Sequence, residues 1–275
     1  MQAEAGGELS TTASARLQSG QAMGIRAGDG VTLAGSALSD TSLSIDAARE
    51  LRLDGSALAY GGTLRLAGND VLLGATSKTQ GRGIDVTATR DLRASGSSVS
   101  TGAAQLKAGR DAALSGTLAA DGDLKLQSRR RGEQRRPAVQ HRQAATAVAA
   151  TPPSRAACAA TATYGGRGGK LALLGSASAT TGALNLTSVG DLSIGKDATA
   201  QAGGAIGLRT RGNFTTAGAM TPLQALTISA AGDAAIDGKL LAGGPLSIDA
   251  IGKIAAGADA KLQAKARCAW MRDAT

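Results

Sequence analysis

Leu43–Ala47, with the sequence LSIDA, and Leu51–Gly55, with the sequence LRLDG, decide the fold. In both stretches every second residue is apolar or small and the residues between are polar, which is the period of a β-strand with one buried face. The same pattern occurs 20 residues earlier, in Met23–Ala27 (MGIRA) and Val31–Leu33 (VTL). The sequence therefore predicts short strands that recur at a fixed interval.

The interval of 20 residues continues along most of the chain. Equivalent core positions keep this spacing in both halves, at Ile84, Ala104 and Leu124 and again at Ile206, Leu226 and Leu246. Two irregularities are visible: the unit around Leu64 is displaced by one residue, and the step from Leu184 to Ile206 is 22 residues. Turns absorb insertions of this size, so the interval indicates one architecture throughout.

A constant interval favours a coil over a meander. If each unit is one turn of a coil, equivalent residues stack above each other and backbone hydrogen bonds join coils about 4.8 Å apart. An antiparallel sandwich gives no reason for a constant interval, and the spacing of a leucine-rich repeat is absent. We predict an all-β fold, a right-handed parallel β-helix (β-solenoid) of about 20-residue coils, interrupted by an irregular segment.

The composition is consistent with a narrow core. Four of the 275 residues are aromatic, whereas 39 are glycine. A compact globular enzyme of this length normally fills its core with many large rings. We therefore expect a thin core in which aliphatic side chains alternate with alanine and glycine.

Two segments depart from the pattern and divide the chain. We assign β-helix repeats to residues 1–127 and 169–264, an irregular basic segment to residues 128–168 and an irregular tail to residues 265–275. The basic segment contains three of the five prolines and the only histidine, His141. Because proline removes a backbone donor, this segment is not expected to supply central strands.

Residues 128–168 have two interpretations. One is an inserted basic loop, either functional or disordered. The other is translation of a wrong reading frame, entered near Ser128 and corrected near Gly168, with a second frame shift producing the tail. We favour the frame error because Leu124 and Leu184 lie 60 residues apart, a whole number of periods, as expected if whole coils were replaced.

The net charge of +9 at first suggests a nucleic-acid or membrane partner. The excess is confined to the two departing segments: residues 128–168 carry eight arginines and one glutamate, and residues 265–275 carry three basic residues and one acidic residue. The repeats contain 19 basic and 19 acidic residues. The shaft is therefore neutral, and we predict no nucleic-acid partner and no membrane span.

The residue inventory predicts no catalytic, cofactor-binding or metal-binding residues, and we expect no enzymatic activity and no cofactor. Cys158 and Cys268 fit no disulfide or metal spacing. Asp121 and Asp123 flank a turn glycine and are interpreted as solvated turn residues. The rival is a β-helix polysaccharide-degrading enzyme, which converging Asp and Arg or Lys side chains in a surface groove would favour; Tyr60 is the outward ring available to stack on a sugar.

Several units resemble the repeats of filamentous haemagglutinin-type exoproteins: Gly62–Asp70 (GTLRLAGND), Gly102–Gly116 (GAAQLKAGRDAALSG), Ala225–Asp233 (ALTISAAGD) and Pro245–Ala250 (PLSIDA). The resemblance covers about residues 6–127 and 169–264 and rests on the pattern of the repeats. It implies a fragment of a very large bacterial surface or secreted adhesin. Such adhesins are exported by an outer-membrane two-partner secretion transporter and carry a long right-handed β-helical shaft.

From this resemblance we expect a structural and adhesive shaft that contributes to virulence by attaching the cell to host cells or other surfaces through a glycan or protein receptor. The N-terminus has no basic and apolar leader, so we expect this fragment to lack its own export signal, although the resemblance implies a secreted or cell-surface location. The alternatives are the shaft of a contact-dependent growth-inhibition toxin and a non-functional gene remnant.

Overall fold

The chain coils into a parallel β-solenoid of about 11 turns, with successive turns about 20 residues apart. The computed structural model describes residues 1–129 and 169–265 and the backbone of Cys268–Arg272. Within these ranges the chain forms strands and turns and no helix. Strands of neighbouring turns pair in parallel, which confirms the predicted β-helix.

Each turn has three strands, which build three faces, and we number the strands along the chain. The first face contains β1 Gln2–Ala5, β4 Met23–Ala27, β7 Leu43–Ala47, β14 Ala104–Ala108, β17 Leu124–Ser128, β20 Leu184–Ser188, β23 Ile206–Thr210, β26 Leu226–Ala230, β29 Leu246–Ala250 and β32 Cys268–Arg272. The second face contains β2 Leu9–Thr11, β5 Val31–Leu33, β8 Glu50–Leu53, β10 Asp70–Leu73, β12 Leu92–Ala94, β15 Ala112–Leu114, β18 Leu171–Leu173, β21 Leu192–Ile194, β24 Phe214–Thr216, β27 Ala234–Ile236 and β30 Ile254–Ala256.

The third face contains β3 Arg16–Ser19, β6 Ser36–Ser39, β13 Ser97–Ser100, β16 Thr117–Ala120, β19 Ser176–Ala179, β22 Thr199–Ala202, β25 Ala219–Pro222, β28 Lys239–Ala242 and β31 Lys261–Ala264. Two longer strands, β9 Ser56–Gly68 and β11 Lys78–Ala88, continue from the third face into the first face of the next turn. The sequence pattern did not indicate the third face as a separate strand, because its inward side chains are small, such as Ala37 and Ala57.

Equivalent residues stack in the predicted register. Met23 pairs with Leu43 on the first face, and Val31 pairs with Leu51 on the second. The predicted irregularities are also present, since Leu43 pairs with Leu64 and Leu184 pairs with Ile206. These ladders bury one continuous core of Leu, Ile, Val and Ala, in which Phe214 is the largest fully buried side chain, so the expected narrow aliphatic core is confirmed.

The corner between the second and third faces depends on glycine. The N–H of Ser56 donates to the carbonyl oxygen of Gly35 in the turn below, at 3.0 Å. A Cβ atom on Gly55 would lie 1.8 Å from that same oxygen, so this position leaves no space for a side chain. The glycine of the LRLDG stretch therefore permits two turns to approach closely at a sharp corner.

The basic segment connects two turns that stack directly on each other. Leu124 pairs with Leu184 and Ala112 pairs with Leu171, so no coil lies between these turns and the expectation of whole replaced coils is corrected. The first repeat region, assigned to residues 1–127, also extends to Ser128, because this fully buried residue is the last residue of β17. The choice between an inserted loop and a frame error concerns residues 130–168, which lie outside the described residues.

The tail contains a strand that the sequence pattern did not predict. The backbone of Cys268–Arg272 pairs in parallel with Leu246–Ala250, with Cys268 beside Leu246. The irregular tail assigned to residues 265–275 is corrected for these five residues. The step between the two strands is 22 residues, as between Leu184 and Ile206.

Candidate functional site

The turn between the first and second faces, which we call the first corner, carries stacked polar residues. One column contains Asp29, Arg49, Asn69, Arg90 and Arg110, and each N–H after the first donates to the carbonyl oxygen of the residue below at 2.6–2.9 Å. The residues that follow them form a second column of Gly30, Glu50, Asp70, Asp91 and Asp111, which continues through Lys170, Asp191, Asn213, Asp233 and Lys253. Because the turns are in register, the first corner presents two adjacent rows of side chains along the shaft.

From Asp70 onwards the second column forms a ladder of hydrogen bonds. The Oδ1 atom of an Asp or Asn accepts a bond from the backbone N–H of the equivalent residue in the next turn. These bonds join Asp70 to Asp91 (3.2 Å), Asp91 to Asp111 (3.3 Å), Asp111 to Lys170 (3.0 Å), Asp191 to Asn213 (3.0 Å), Asn213 to Asp233 (2.9 Å) and Asp233 to Lys253 (2.7 Å). Short Asp and Asn side chains suit this role because they reach backbone donors in turns.

Arginines of the first column neutralise the stacked carboxylates. Arg110 Nε donates to Asp91 Oδ1 at 2.6 Å, and Arg110 Nη2 contacts Asp91 Oδ2. The hydrogen bond from Arg110 holds the pKa of Asp91 below its usual value against the opposing effect of burial, and Asp91 in turn raises the pKa of Arg110. Arg90 pairs in the same way with Asp70 (3.6 Å), and Arg49 pairs with Asp29 of its own column (3.2 Å).

The first corner opens into a groove over the first five turns. This feature, which we call the corner groove, has a volume of about 620 Å³, and its charged lining consists of Glu8, Asp29, Arg49, Glu50, Asp70 and Arg90. Its lining residues come from successive turns about 4.8 Å apart, so the groove runs along the shaft. It brings Asp and Arg side chains together on the surface, which is the arrangement that the enzyme rival requires.

The charges in the corner groove are of two kinds. Asp29 and Asp70 are paired with arginines, and Asp70 also accepts the N–H of Asp91. Glu8 and Glu50 have neither an ion pair nor a side-chain hydrogen bond among the described residues. The groove therefore has two uncommitted carboxylates beside two that stabilise the corner.

Of the residues singled out in the sequence, Asp121, Asp123 and Tyr60 lie on the surface and do not line the groove, whereas His141, Cys158 and the side chain of Cys268 lie outside the described residues. Asp121 and Asp123 are exposed turn residues, as interpreted, and Asp123 Oδ1 accepts the N–H of Ala183 at 3.0 Å. Tyr60 is 53% exposed, which confirms the outward ring. In residues 1–129 and 169–265 no group of three or more His, Cys, Asp or Glu side chains is arranged to hold a metal ion.

The sequence analysis did not identify the first corner, although the sequence contains repeated polar pairs at the corner positions. The pairs Arg90-Asp91 and Arg110-Asp111 lie 20 residues apart, directly before a strand, and Asn69-Asp70 precedes them. Taken singly, each pair has the composition of an ordinary polar turn. Only stacking shows that these residues form columns and that the columns border a groove.

Comparison with protein-family models, with curated proteins and with solved structures gives no match to this chain. Among the described residues, no helix has the length and apolar character needed to cross a membrane.

Proposed function

We propose that this chain is part of the β-helical shaft of a large bacterial surface adhesin of the filamentous haemagglutinin type. The observation that carries the proposal is the uninterrupted stack of about 11 turns around one core. With a rise of about 4.8 Å per turn, the stack is a rod roughly 50 Å long. A rod of this kind holds a binding region away from the cell surface.

The architecture supports a structural role. Each interior turn is hydrogen-bonded to the turns on both sides, so bending the rod requires breaking backbone bonds. Its stability comes from the contacts between neighbouring turns. In this proposal an outer-membrane two-partner secretion transporter exports the parent protein, and a host-cell glycan or protein is the receptor.

Two measurements test the proposal. The scattering profile of the purified chain should fit an elongated rod. Beads coated with the folded chain should adhere to epithelial cells more than beads coated with the same chain after irreversible heat denaturation. A rod that adheres no better than the denatured chain would remove the adhesive role and leave only the structural one.

The corner groove favours one second candidate, a β-helix enzyme that acts on a polysaccharide. Glycoside hydrolysis uses two carboxyl groups on either side of the scissile bond, and the uncommitted Glu8 and Glu50 are the pair available. Incubation with a panel of acidic, neutral and amino polysaccharides, followed by measurement of new reducing ends and of unsaturated products, tests this candidate. Product formation that is lost in Glu50→Gln would replace the adhesin proposal with an enzymatic one.

A further inference from the structure

We propose that a second copy of this chain docks end to end on the shaft, so that its first turn (β1–β3) stacks on the last full turn (β29–β31) of the copy below. This inference goes beyond the shaft role, because it assigns a partner to the two ends of the stack and depends on neither export nor attachment to a host. Three observations carry it: half-buried core positions at both ends, strand edges with matching backbone groups, and opposite charges at the two ends of the second column.

The apolar core is incompletely covered at both ends of the described shaft. Leu9 in the first turn and Ile254 in the last full turn are half-buried, whereas the equivalent inward position of the second face is buried in every turn between them. Leu17 and Leu262 differ in the same way from the inward positions between them on the third face. Docking places Leu9 of the second copy over Ile254 and Leu17 over Leu262, and both pairs become buried.

The strand edges at the two ends present matching backbone groups. On the second face the N–H of Ala234 donates to the carbonyl oxygen of Lys253 in the turn above, at 2.7 Å. Ile254 is the next residue in this series, and no strand lies above it among the described residues. At the other end the carbonyl oxygen of Gly30 accepts a bond from the turn below, at 2.9 Å, and Glu8 is its equivalent in the first turn. In the docked pair Ile254 donates to the carbonyl oxygen of Glu8, which satisfies two edge groups.

The second column ends in opposite charges. The side chains of Glu8 in the first turn and Lys253 in the last full turn are exposed, and neither forms an ion pair among the described residues. Within the shaft Lys170 lies directly below Asp191 in the same column, and Lys170 Nζ is 3.6 Å from Asp191 Oδ2. Docking repeats this arrangement, because it places Lys253 directly below Glu8 of the second copy.

The faces fix the rotation of the second copy about the shaft axis. The strands β2 and β30 of the second face have three residues each, whereas β3 and β31 of the third face have four. Pairing strands of equal length aligns the faces of the two copies. This alignment also places Arg16 over Lys261, a like-charged pair of a kind that the shaft already contains, since Lys239 lies directly below Lys261.

On the first face, docking requires β32 to leave its position. The backbone of β32 pairs with the upper edge of β29. In the aligned stack β1 of the second copy takes that edge, because β1, β2 and β3 belong to one turn. The strand β32 therefore caps the shaft, and its release frees the edge that β1 binds. Since a head-to-tail contact of this kind does not close on itself, repeated docking produces filaments one shaft thick.

Sedimentation velocity of the 275-residue chain over a range of concentrations, with a reductant present, measures the docking. We expect a reversible rise in mass with concentration, and electron micrographs of rods whose lengths are multiples of about 50 Å. Ala269→Pro removes a backbone donor of β32 and should strengthen association about tenfold. The proposal is overturned if the parent chain and this variant both stay monomeric, or if the variant associates no more tightly than the parent.

Charge variants test the position of the contact. Glu8→Lys and Lys253→Glu each place like charges at the junction and should weaken association about three- to five-fold. An equimolar mixture of the two variants should restore it, because every end then meets its opposite charge on the other variant. Lys125→Glu makes the same change at an exposed position in the middle of the shaft and should have no effect. Melting temperatures equal to that of the parent verify folding.

Equal weakening by Lys125→Glu and Lys253→Glu would show diffuse attraction between surfaces and overturn the proposal. A mixture that associates no better than the separate variants would also overturn it. Either result leaves the shaft function untouched, since that function is tested by the shape and adhesion of the single chain.

Discussion

The hydroxyl group of Ser128 donates a hydrogen bond of 2.7 Å to the carbonyl oxygen of Gly169, 41 residues further along the chain. Ser188, in the next turn, donates to the same oxygen at 2.5 Å. The backbone N–H of Arg129 donates to the carbonyl oxygen of Ala108, in the turn below, at 2.9 Å. The two ends of the basic segment are therefore fixed to one buried corner of the shaft.

This junction predicts that residues 130–168 can be removed. Joining Arg129 to Gly169 leaves the turn Arg129-Gly169-Lys170, which has the same length as Gly109–Asp111 in the turn below. We expect the deletion variant to fold and to be more stable by about 2 kcal/mol, because a long connection costs more closure entropy than a short one. Chemical denaturation of both chains measures the difference. A deletion variant that fails to fold would show that the shaft depends on the segment.

A glycine at the corner between the second and third faces should be intolerant of substitution. Gly55→Ala brings Cβ to within 1.8 Å of the Gly35 carbonyl oxygen, so the two turns must move apart. We expect a loss of about 1–3 kcal/mol, the usual cost of overpacking. Gly6→Ala is the matched control, because no atom lies within 4 Å of its Cβ position. Thermal unfolding followed by circular dichroism distinguishes them, and equal melting temperatures would contradict the proposed close approach.

The ladder of the first corner predicts that two substitutions have non-additive effects on the free energy of unfolding. Gly232→Ala places Cβ 2.3 Å from Asn213 Oδ1, the atom that accepts the N–H of Asp233. We expect each of Gly232→Ala and Asn213→Ala to cost about 1 kcal/mol. The double variant should cost less than the two together by about 0.5–1 kcal/mol, because the shortest contact of the new Cβ atom is with the Asn213 side chain. Strict additivity in a double-mutant cycle would show that the clash lies elsewhere.

Asp91 predicts a pH dependence of stability. Its pKa is lowered in the folded chain, so its contribution is present above the unfolded pKa of about 4 and is lost as the pH falls through the folded pKa. Asp91→Asn should therefore lower the melting temperature by about 1–3 °C at pH 5–8, with the difference from the parent chain shrinking below pH 4. Asp40→Asn, at an exposed turn position, is the control. A difference that stays constant down to pH 2 would contradict the charged interaction with Arg110.

Most of the fold was predictable from the sequence because the alternation that defines each strand lies within a few consecutive residues. The period of two in Leu43–Ala47 identifies the strands, and the interval of 20 residues identifies what each strand stacks on. The third face was harder to recognise, since inward residues such as Ala57 differ little in character from their outward neighbours. The corner groove was not predictable, because it requires Glu8, Glu50 and Gly30 to lie side by side although they are distant along the chain.

The sequence by itself determined the coil, its period, its narrow core and the neutrality of its shaft. Side chains that alternate between core and solvent produce a regular pattern of apolar and polar residues, and this pattern can be recognised without a structure. The tertiary structure alone decided which corner residues meet and that Ser128 and Gly169 share one corner. Turn residues carry no alternating pattern, and their neighbours are set by the stacking of turns. The columns of charge, the corner groove and the direct contact across residues 130–168 therefore emerge only when the turns are in register.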